Sequence, residues 1–288
     1  MLESYVKKIL GSKVYDLAVE SPLSDAPLLS RRLGVNVSLK REDMQSVYSF
    51  KLRGAYNKMA QLSDEQKATG VITASAGNHA QGVAISAQKL GIRATIVMGQ
   101  NTPSIKVNAV RDRGAKVVLH GDNYDEASQH AKALCQAQGL VYIPPYDDVD
   151  VIAGQGTIGM EIVNQHSQPL DAIFVPVGGG GLVAGVAAYV KYLRPNTKII
   201  GVEAQGSNCL DVAMKAGRRV RLPIDQLDLF ADGVSVAQIG KETFKVAKKY
   251  VDDVVVVNVD EICAAISSSH KRSLFSADSS WHRCAKYI

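Results

Sequence analysis

Residues 40–56, KREDMQSVYSFKLRGAY, form the stretch that decides how this chain is organised, and Lys51 is its central residue. Ser49 and Phe50 precede this lysine, and a run of helix-forming residues follows it. Small and aromatic neighbours of this kind can hold an amine in a partly dry pocket, which lowers its pKa and makes it a nucleophile. The sequence therefore predicts a reactive lysine at the start of a helix that ends near Ala60.

A run of four glycines lies far along the chain from this lysine, after an apolar strand and before an apolar helix. The run comprises Gly178, Gly179, Gly180 and Gly181, and Leu182 follows it. Backbone N–H groups at such a junction form an anion-binding nest. The Lys-Ser/Thr pair of a Walker loop is missing, so a nucleoside triphosphate is not expected. The alternative interpretation is a glycine-rich turn that serves tight packing.

A second strand-to-helix junction carries the sequence SAGNH at residues 75–79. In open α/β sheets, ligands bind where strands end at such junctions. We expect a substrate carboxylate to be held by Ser75, Ala76, Gly77 and Asn78, with the Asn78 amide as an additional donor. The alternative is that Ser75 or Asn78 caps the helix. His79 is interpreted as a packed histidine and not as a base.

The composition is typical of a globular protein with one large or two ordinary domains. The chain has 288 residues, of which 46% are hydrophobic and 21% charged, and its net charge is +5. The segment after Ile266 contributes +3, so the rest is near neutral and nucleic-acid binding has little support. The four cysteines contain no CxxC pair and are interpreted as free thiols of a cytoplasmic protein.

Neither a signal peptide nor a membrane partner is expected. The N-terminus lacks an apolar core followed by a cleavage site. Residues 172–190 carry no charge over a length that could cross a membrane. Pro176 and the glycine run within this stretch argue against one continuous helix. A buried strand, a loop and a buried helix are expected there.

Short apolar strands alternate with helices from residue 70 onward, which is typical of βαβ units and a parallel sheet. Gly91, Gly114 and Gly139 stand where left-handed helix caps are expected. The predicted fold class is therefore α/β, with two parallel-sheet domains of three layers each. The predicted divisions are a smaller domain at 54–149, a larger domain at 1–53 plus 150–266, and an atypical tail at 267–288.

Two helices near the ends of the chain can also be placed. Residues 1–20 are expected to form one amphipathic helix with a loose end. Asp260 is expected to cap a helix that starts at Glu261 and does not develop beyond Ile266.

Two further features are of types that also occur in dinucleotide sites. Residues 154–159, GQGTIG, match GxGxxG, but hardly any strand precedes them, so they are interpreted as a helix start. Glu203 ends the strand after the glycine run, where a dinucleotide fold places its ribose-binding acid. This placement supports a nicotinamide-dependent oxidoreductase as an alternative function. Glu203 is also a weak candidate metal ligand, or a solvated carboxylate.

An amine, a phosphate nest and a carboxylate loop together suit pyridoxal 5'-phosphate and an amino-acid substrate. In this interpretation Lys51 binds the aldehyde of the cofactor. The glycine run binds its phosphate, and residues 75–78 bind the substrate.

Several stretches resemble the fold-type II pyridoxal-phosphate enzymes, which have a tryptophan synthase β-like fold, and within them the biosynthetic threonine dehydratases (threonine ammonia-lyases). The resemblance extends from about Leu2 to Ile266. The matching stretches are KREDMQSVYSFKLRGAYNKM, VITASAGNHAQGVA, VVLHGDNYDEA, PPYDDVDVIAGQGTIGMEI, VPVGGGGLVAGV and FADGVSVAQIGKETF.

This resemblance implies the α,β-elimination of L-threonine, and of L-serine, to give 2-oxobutanoate from threonine and ammonia, the first step of isoleucine biosynthesis. It implies that Lys51 carries the cofactor and removes the α-proton, and that Asn78 bonds the phenolic oxygen of the cofactor. The glycine run and the Leu182 N–H would bind the phosphate. It also implies a homo-oligomer. Related serine racemases have a serine as second base where this chain has Ala76, so elimination is expected here.

The chain departs from the family pattern after Ile266. The regulatory ACT-like region has no counterpart, and neither an EP-S/A-GALA segment nor an SGAN-like serine for the pyridine nitrogen is found. The hypothesis is a frame-shifted or truncated end, and the alternative is a lineage-specific tail. An inactive relic of the enzyme is therefore a further alternative function.

Overall fold

The structure, a computed structural model, describes residues 1–270, with side chains through residue 266. The helices are α1 (Leu2–Leu10), α2 (Pro27–Leu33), α3 (Lys51–Ala60), α4 (Asp64–Thr69), α5 (Asn78–Leu90), α6 (Ser104–Arg111), α7 (Tyr124–Gln138), α8 (Val149–Gln165), α9 (Gly181–Leu193), α10 (Cys209–Ala216), α11 (Lys241–Tyr250) and α12 (Val259–His270). The strands are β1 (Leu23–Asp25), β2 (Ser38–Lys40), β3 (Val71–Ala74), β4 (Ala94–Met98), β5 (Lys116–Leu119), β6 (Val141–Tyr142), β7 (Ala172–Pro176), β8 (Lys198–Ala204) and β9 (Asp253–Val257).

The first parallel sheet has the strand order β5-β4-β3-β6. Its central strands are buried on both faces, as parallel strands between helices usually are. On one face, Val71 and Ile96 pack with α5, and on the other, Ile72 and Val97 pack with α7. β3 ends at Ala74, so Ser75 emerges at the carboxyl edge of this sheet.

The second parallel sheet has the order β7-β8-β9, and Pro176 of β7 pairs with Val202 of β8. Its core is formed with α9, whose Val183 and Val186 are buried beside Val175. The glycine run begins two residues after β7 ends, at the carboxyl edge of this sheet. β1 and β2 form a separate antiparallel pair.

These two sheets confirm the predicted α/β class with parallel strands. Gly91, Gly114 and Gly139 have positive φ angles of 67°, 79° and 64°, as expected for left-handed caps. The division into two domains stays a prediction. α3 begins at Lys51, so the proposed boundary after residue 53 lies inside its first turn.

Glycines let α8 approach two neighbouring helices at backbone distance. A Cβ on Gly154 would stand 2.6 Å from the carbonyl oxygen of Arg53 in α3. A Cβ on Gly185 of α9 would stand 2.5 Å from the carbonyl oxygen of Ile152 and 2.6 Å from the amide nitrogen of Gly156. The GxGxxG match therefore serves helix packing, and it lies in the middle of α8 and not at its start.

Three expected helix boundaries are wrong. The N-terminal helix ends at Leu10, because Gly11 disfavours continuation, and a 3₁₀ turn follows at Val14–Asp16. α8 begins at Val149, because the Asp148 carboxylate accepts hydrogen bonds from the N–H groups of Asp150 and Val151.

The third correction concerns α12. The side chain of Asn258 accepts a hydrogen bond from Glu261 N at 2.9 Å, and the Glu261 carboxylate accepts one from Asn258 N at 2.8 Å. This reciprocal pair begins the helix, and Asp260 lies inside it. α12 then continues past Ile266 to His270.

Within residues 1–270, no helix has the length and apolarity needed to span a membrane. The uncharged stretch 172–190 consists of β7, the glycine run and most of α9, as expected.

Candidate active site

Lys51 is the first residue of α3, and it is partly buried. Its Nζ donates a hydrogen bond to the carbonyl oxygen of Pro145 at 3.3 Å and stands 5.4 Å from the centre of the Phe50 ring. The Ser49 hydroxyl accepts a hydrogen bond from the Lys51 N–H at 3.3 Å. The small and aromatic neighbours predicted for this lysine are therefore in contact with it.

A buried cluster of charges lies directly behind the first turn of α3. The Arg53 side chain is fully buried and forms a bidentate pair with Glu42, with both N···O distances 2.8 Å. It also donates to Glu161 at 2.5 Å, and the same carboxylate pairs with Lys40 at 2.5 Å. Two positive and two negative groups are thus neutralised out of contact with water.

Hydrogen bonds complete this buried cluster. Glu161 accepts from the Tyr15 hydroxyl at 2.8 Å, and Glu42 accepts from the Ser21 hydroxyl at 2.5 Å. Burial disfavours the charged form of Arg53, but the two carboxylates outweigh it and raise the pKa of the guanidinium. Burial lowers the pKa of Lys40 against the opposing effect of Glu161. The sequence analysis did not predict this buried cluster. Its one local indication in the sequence is the KRED run, which contains Lys40 and Glu42.

The SAGNH junction leaves helix N–H groups free at its helix start. The Ser75 hydroxyl accepts from Gly77 N at 3.3 Å, and α5 begins at Asn78 without a side-chain cap. The alternative that Ser75 or Asn78 caps the helix is therefore wrong. The first N–H groups of α5 remain available to an anion such as a carboxylate.

His79 is packed and neutral. It is 4% exposed, and its Nε2 lies 3.0 Å from the Ile143 carbonyl oxygen, to which it must donate. Burial, with the nearby charge of Lys51, lowers the pKa of His79 to about 3. This geometry agrees with the interpretation of a packed histidine, and it places the SAGNH junction next to the lysine.

The glycine run has two structural roles at once. Its backbone N–H groups, with that of Leu182, find no acceptor among the residues that the structure describes. Five successive free donors at the start of α9 form a nest for an anion. The positions where side chains would stand are filled by neighbours. A Cβ would meet Val234 at Gly178, Tyr146 at Gly179 and Gly181, and Thr243 at Gly180, within 2.2 to 3.1 Å.

The packing interpretation of the glycine run is therefore confirmed, because close contacts exclude side chains. Phosphate binding stays a prediction, which the free donors favour. Gly180, with φ of 88°, is also in the left-handed region that favours glycine.

Pro145 and Tyr146 connect the lysine to the glycine run. The carbonyl oxygen of Pro145 accepts from Lys51, and the next residue, Tyr146, packs on Gly179. The structure thus brings together the amine, the anion nest and the carboxylate junction from three parts of the chain. An amine beside an anion nest has the donor set that an aldehyde-bearing phosphate ester such as pyridoxal phosphate requires.

Glu203 is not part of this arrangement. Its carboxylate is 1% exposed and accepts from the N–H groups of Leu210 and Asp211, both at 2.8 Å. Burial raises the pKa of Glu203 to about 7. Both oxygens therefore bind the start of α10 and are not presented to a ribose, so the nicotinamide alternative has no support from Glu203.

No group of three potential metal ligands occurs within residues 1–270. Cys135, Cys209 and Cys263 are free thiols, and Cys284 lies outside the described residues. The predictions on residues 271–288, including the frame-shift hypothesis, likewise lie outside them.

Comparison with known proteins gives consistent matches. Residues 14–280 match the family described as pyridoxal-phosphate dependent enzyme. A biosynthetic L-threonine dehydratase of Pasteurella multocida is 60% identical over 262 residues, which cover 91% of this chain and 50% of that protein. This chain thus spans about half the length of the curated relatives it matches.

Two solved structures are similar over most of their length. The processed form of threonine deaminase isoform 2 from Solanum lycopersicum has a TM-score of 0.94 and 51% identity, covering 99% of this chain and 82% of that one. Maize serine racemase has a TM-score of 0.86 and 30% identity, covering 93% and 82% of the two chains.

Proposed function

This chain belongs to the family of pyridoxal-phosphate dependent enzymes, and we propose that it is a threonine ammonia-lyase that converts L-threonine to 2-oxobutanoate and ammonia, the first step of isoleucine biosynthesis. The observation that carries this proposal is the contact chain from the Lys51 amine through Pro145 and Tyr146 to the glycine run. This contact chain links the Lys51 amine to the residue that packs on the glycine run, and it supports an amine and an anion nest in one site. L-Serine is proposed as a second substrate.

Each part of the site has a role in this proposal. Pyridoxal phosphate, when bound, supplies an electron sink that makes the α-proton of an amino acid acidic. Lys51 holds the cofactor and afterwards accepts the α-proton on its Nζ. The N–H groups of residues 178–182 bind the phosphate. Ser75, Ala76, Gly77 and Asn78 bind the substrate carboxylate at the start of α5.

Two neighbours of Lys51 restrict the chemistry. His79 has a pKa of about 3 and one ring nitrogen directed at Ile143, so it does not compete with Lys51 as a proton acceptor. Ala76 has no group that can carry a proton. With no second base at that position, elimination is favoured over racemisation.

Borohydride reduction followed by peptide mapping tests the cofactor site. A pyridoxyl adduct is expected on Lys51 and absent in Lys51→Ala. An adduct on another lysine would refute the assignment. Release of 2-oxobutanoate from L-threonine tests the reaction. If the adduct forms on Lys51 but no keto acid is released, the chain is the inactive cofactor-binding relic named as the alternative.

The remaining assignments are extensions of this proposal. We propose a cytoplasmic homo-oligomer in which residues 54–149 form the smaller domain and residues 1–53 plus 150–266 the larger. The division into two domains is supported by the packing of the helices: α5, α6 and α7 pack on the first sheet, and α9, α10 and α11 pack on the second.

A further inference from the structure

Three consecutive residues, Pro145, Tyr146 and Asp147, link the Lys51 amine, the glycine run and the start of α11, and we call them the 145–147 segment. It leaves the first sheet after Ile143 and enters α8 at Val149. Pro145 accepts the hydrogen bond of the Lys51 amine at 3.3 Å.

Tyr146 occupies the space next to the glycine run. A Cβ built on Gly179 would stand 2.2 Å from Cγ and Cδ1 of the tyrosine ring and 2.4 Å from Cδ2. These nearly equal distances mean that the ring lies flat over the Gly179 Cα. A Cβ on Gly181 would likewise meet the Cβ of Tyr146 at 3.1 Å. The ring therefore covers one side of the glycine run.

Asp147 fixes the position of this ring. Its carboxylate accepts from the N–H groups of Lys241 and Glu242, both at 2.7 Å, at the start of α11. α11 in turn holds the other side of the glycine run, because the Thr243 hydroxyl donates to the Gly179 carbonyl oxygen at 2.8 Å. Gly179 is thus enclosed between the ring and α11.

We propose that Tyr146 is a positioning residue for the cofactor phosphate, because its ring holds the glycine run in the conformation in which five N–H groups remain free for an anion. This inference rests on the proposed cofactor site at Lys51 and the glycine run, but not on the reaction. A glycine-rich loop that no side chain packs against loses more conformational entropy on binding a ligand than one already held in place. A fixed ring against the loop therefore strengthens binding.

The phenol is suited to this role because it stays neutral. Burial, followed by the proximity of Cys209 and Asp147, raises the pKa of Tyr146 to about 12. An uncharged wall does not repel a dianionic phosphate. Because the contact with Gly179 is made by ring carbons, the ring and not the hydroxyl is expected to matter.

The test is a double-mutant cycle on the full chain, with the dissociation constant of pyridoxal phosphate measured by absorbance titration. Tyr146→Phe keeps the ring and is expected to bind the cofactor within about twofold of the unmodified chain, whereas Tyr146→Ala weakens binding by about tenfold. Gly179→Ala places a methyl group in the ring and weakens binding further. In the double variant the methyl group has room, so it should bind the cofactor more tightly than Gly179→Ala alone.

Tyr192→Ala is the matched control, since it removes an exposed tyrosine from the far end of α9. Circular dichroism and borohydride trapping on Lys51 establish that each variant is folded and loaded. The proposal is overturned if Tyr146→Ala binds like the unmodified chain, or if the losses of the two single variants add in the double variant. Failure of the unmodified chain to bind pyridoxal phosphate would instead refute the proposed function.

Discussion

A buried cluster of charged side chains fixes the position of Lys51. Arg53, two residues further along α3, is held by Glu42 from the segment before the helix and by Glu161 from α8. Each partner is itself bonded by other residues, so the first turn of α3 cannot shift without breaking several charged contacts. No local pattern predicts this cluster, because Arg53 and Glu161 are separated by 108 positions in the chain. Lys51 itself was predictable, because the residues that indicate a reactive lysine are its neighbours in the sequence.

Replacing Arg53 by methionine is expected to destabilise the fold strongly. The substitution leaves Glu42 and Glu161 buried without their main partner, and breaking a buried pair on one side typically costs about 3–5 kcal/mol in the free energy of unfolding. Urea unfolding followed by circular dichroism measures this loss. Lys7→Met, which breaks the exposed pair with Glu3, is the control and should cost less than about 1 kcal/mol. Equal losses in the two variants would contradict the argument.

The lowered pKa of His79 predicts that the free energy of unfolding decreases in acid. Its pKa is about 3 when folded and about 6.5 when unfolded, so the unfolded chain binds the extra proton between these values. The contribution of a neutral His79 is complete above pH 6.5 and is lost as the pH falls towards 3. Between pH 7 and pH 5 the loss is about 2 kcal/mol.

The measurement is the free energy of unfolding at pH 7 and pH 5 in the unmodified chain and in His79→Gln. The glutamine amide can still donate to Ile143 but does not titrate, so the change between the two pH values should be smaller by the stated amount. An unchanged difference in His79→Gln would show that this histidine does not titrate as argued.

At the scale of elements, the prediction succeeded where strand and helix alternate with glycine caps, as from β3 to β6. It failed where one residue decides a boundary. Asp147 and Asp148 follow two prolines, but the Asp148 carboxylate accepts hydrogen bonds at the start of α8 and that of Asp147 at the start of α11. The GxGxxG motif is not a nucleotide site. Its role in packing α8 against neighbouring helices is visible only in the three-dimensional structure. A glycine that packs on another helix and one that binds phosphate look alike in sequence.

Gly185→Ala is expected to separate α9 from α8. Its added Cβ would stand 2.5 Å from the Ile152 carbonyl oxygen, and backbone cannot move aside as a flexible side chain can. Overpacking of this kind typically costs about 1–3 kcal/mol. The cost is measured by the urea midpoint at constant slope. Gly11→Ala is the matched control, because its φ of −85° is ordinary and its nearest contact would be 3.3 Å. A midpoint as high as that of the control would contradict the close approach.

At the scale of the whole molecule, the residues that follow α10 reach across to the helices of the first sheet. Lys106 of α6 pairs with Asp232 at 3.0 Å, and Asp125 of α7 pairs with Arg221 at 2.9 Å. Both pairs are at least partly exposed, and such pairs contribute little to global stability. Their effect should therefore be on how these residues sit against the helices of the first sheet.

Replacing Asp125 and Asp232 by asparagine together should loosen the crossing segment, residues 221–232, without unfolding the chain. The expected result is faster amide hydrogen exchange in this segment, with a melting temperature close to that of the unmodified chain. Salt at 1 M should have a similar effect on the unmodified chain and little on the double variant, because the Debye length falls there to about 3 Å, the length of these exposed pairs. Glu3→Gln, which removes the exposed pair with Lys7 in α1, should leave exchange in the segment unchanged. If the double variant exchanges as slowly as the unmodified chain, apolar contacts and not these ion pairs hold the segment across the site.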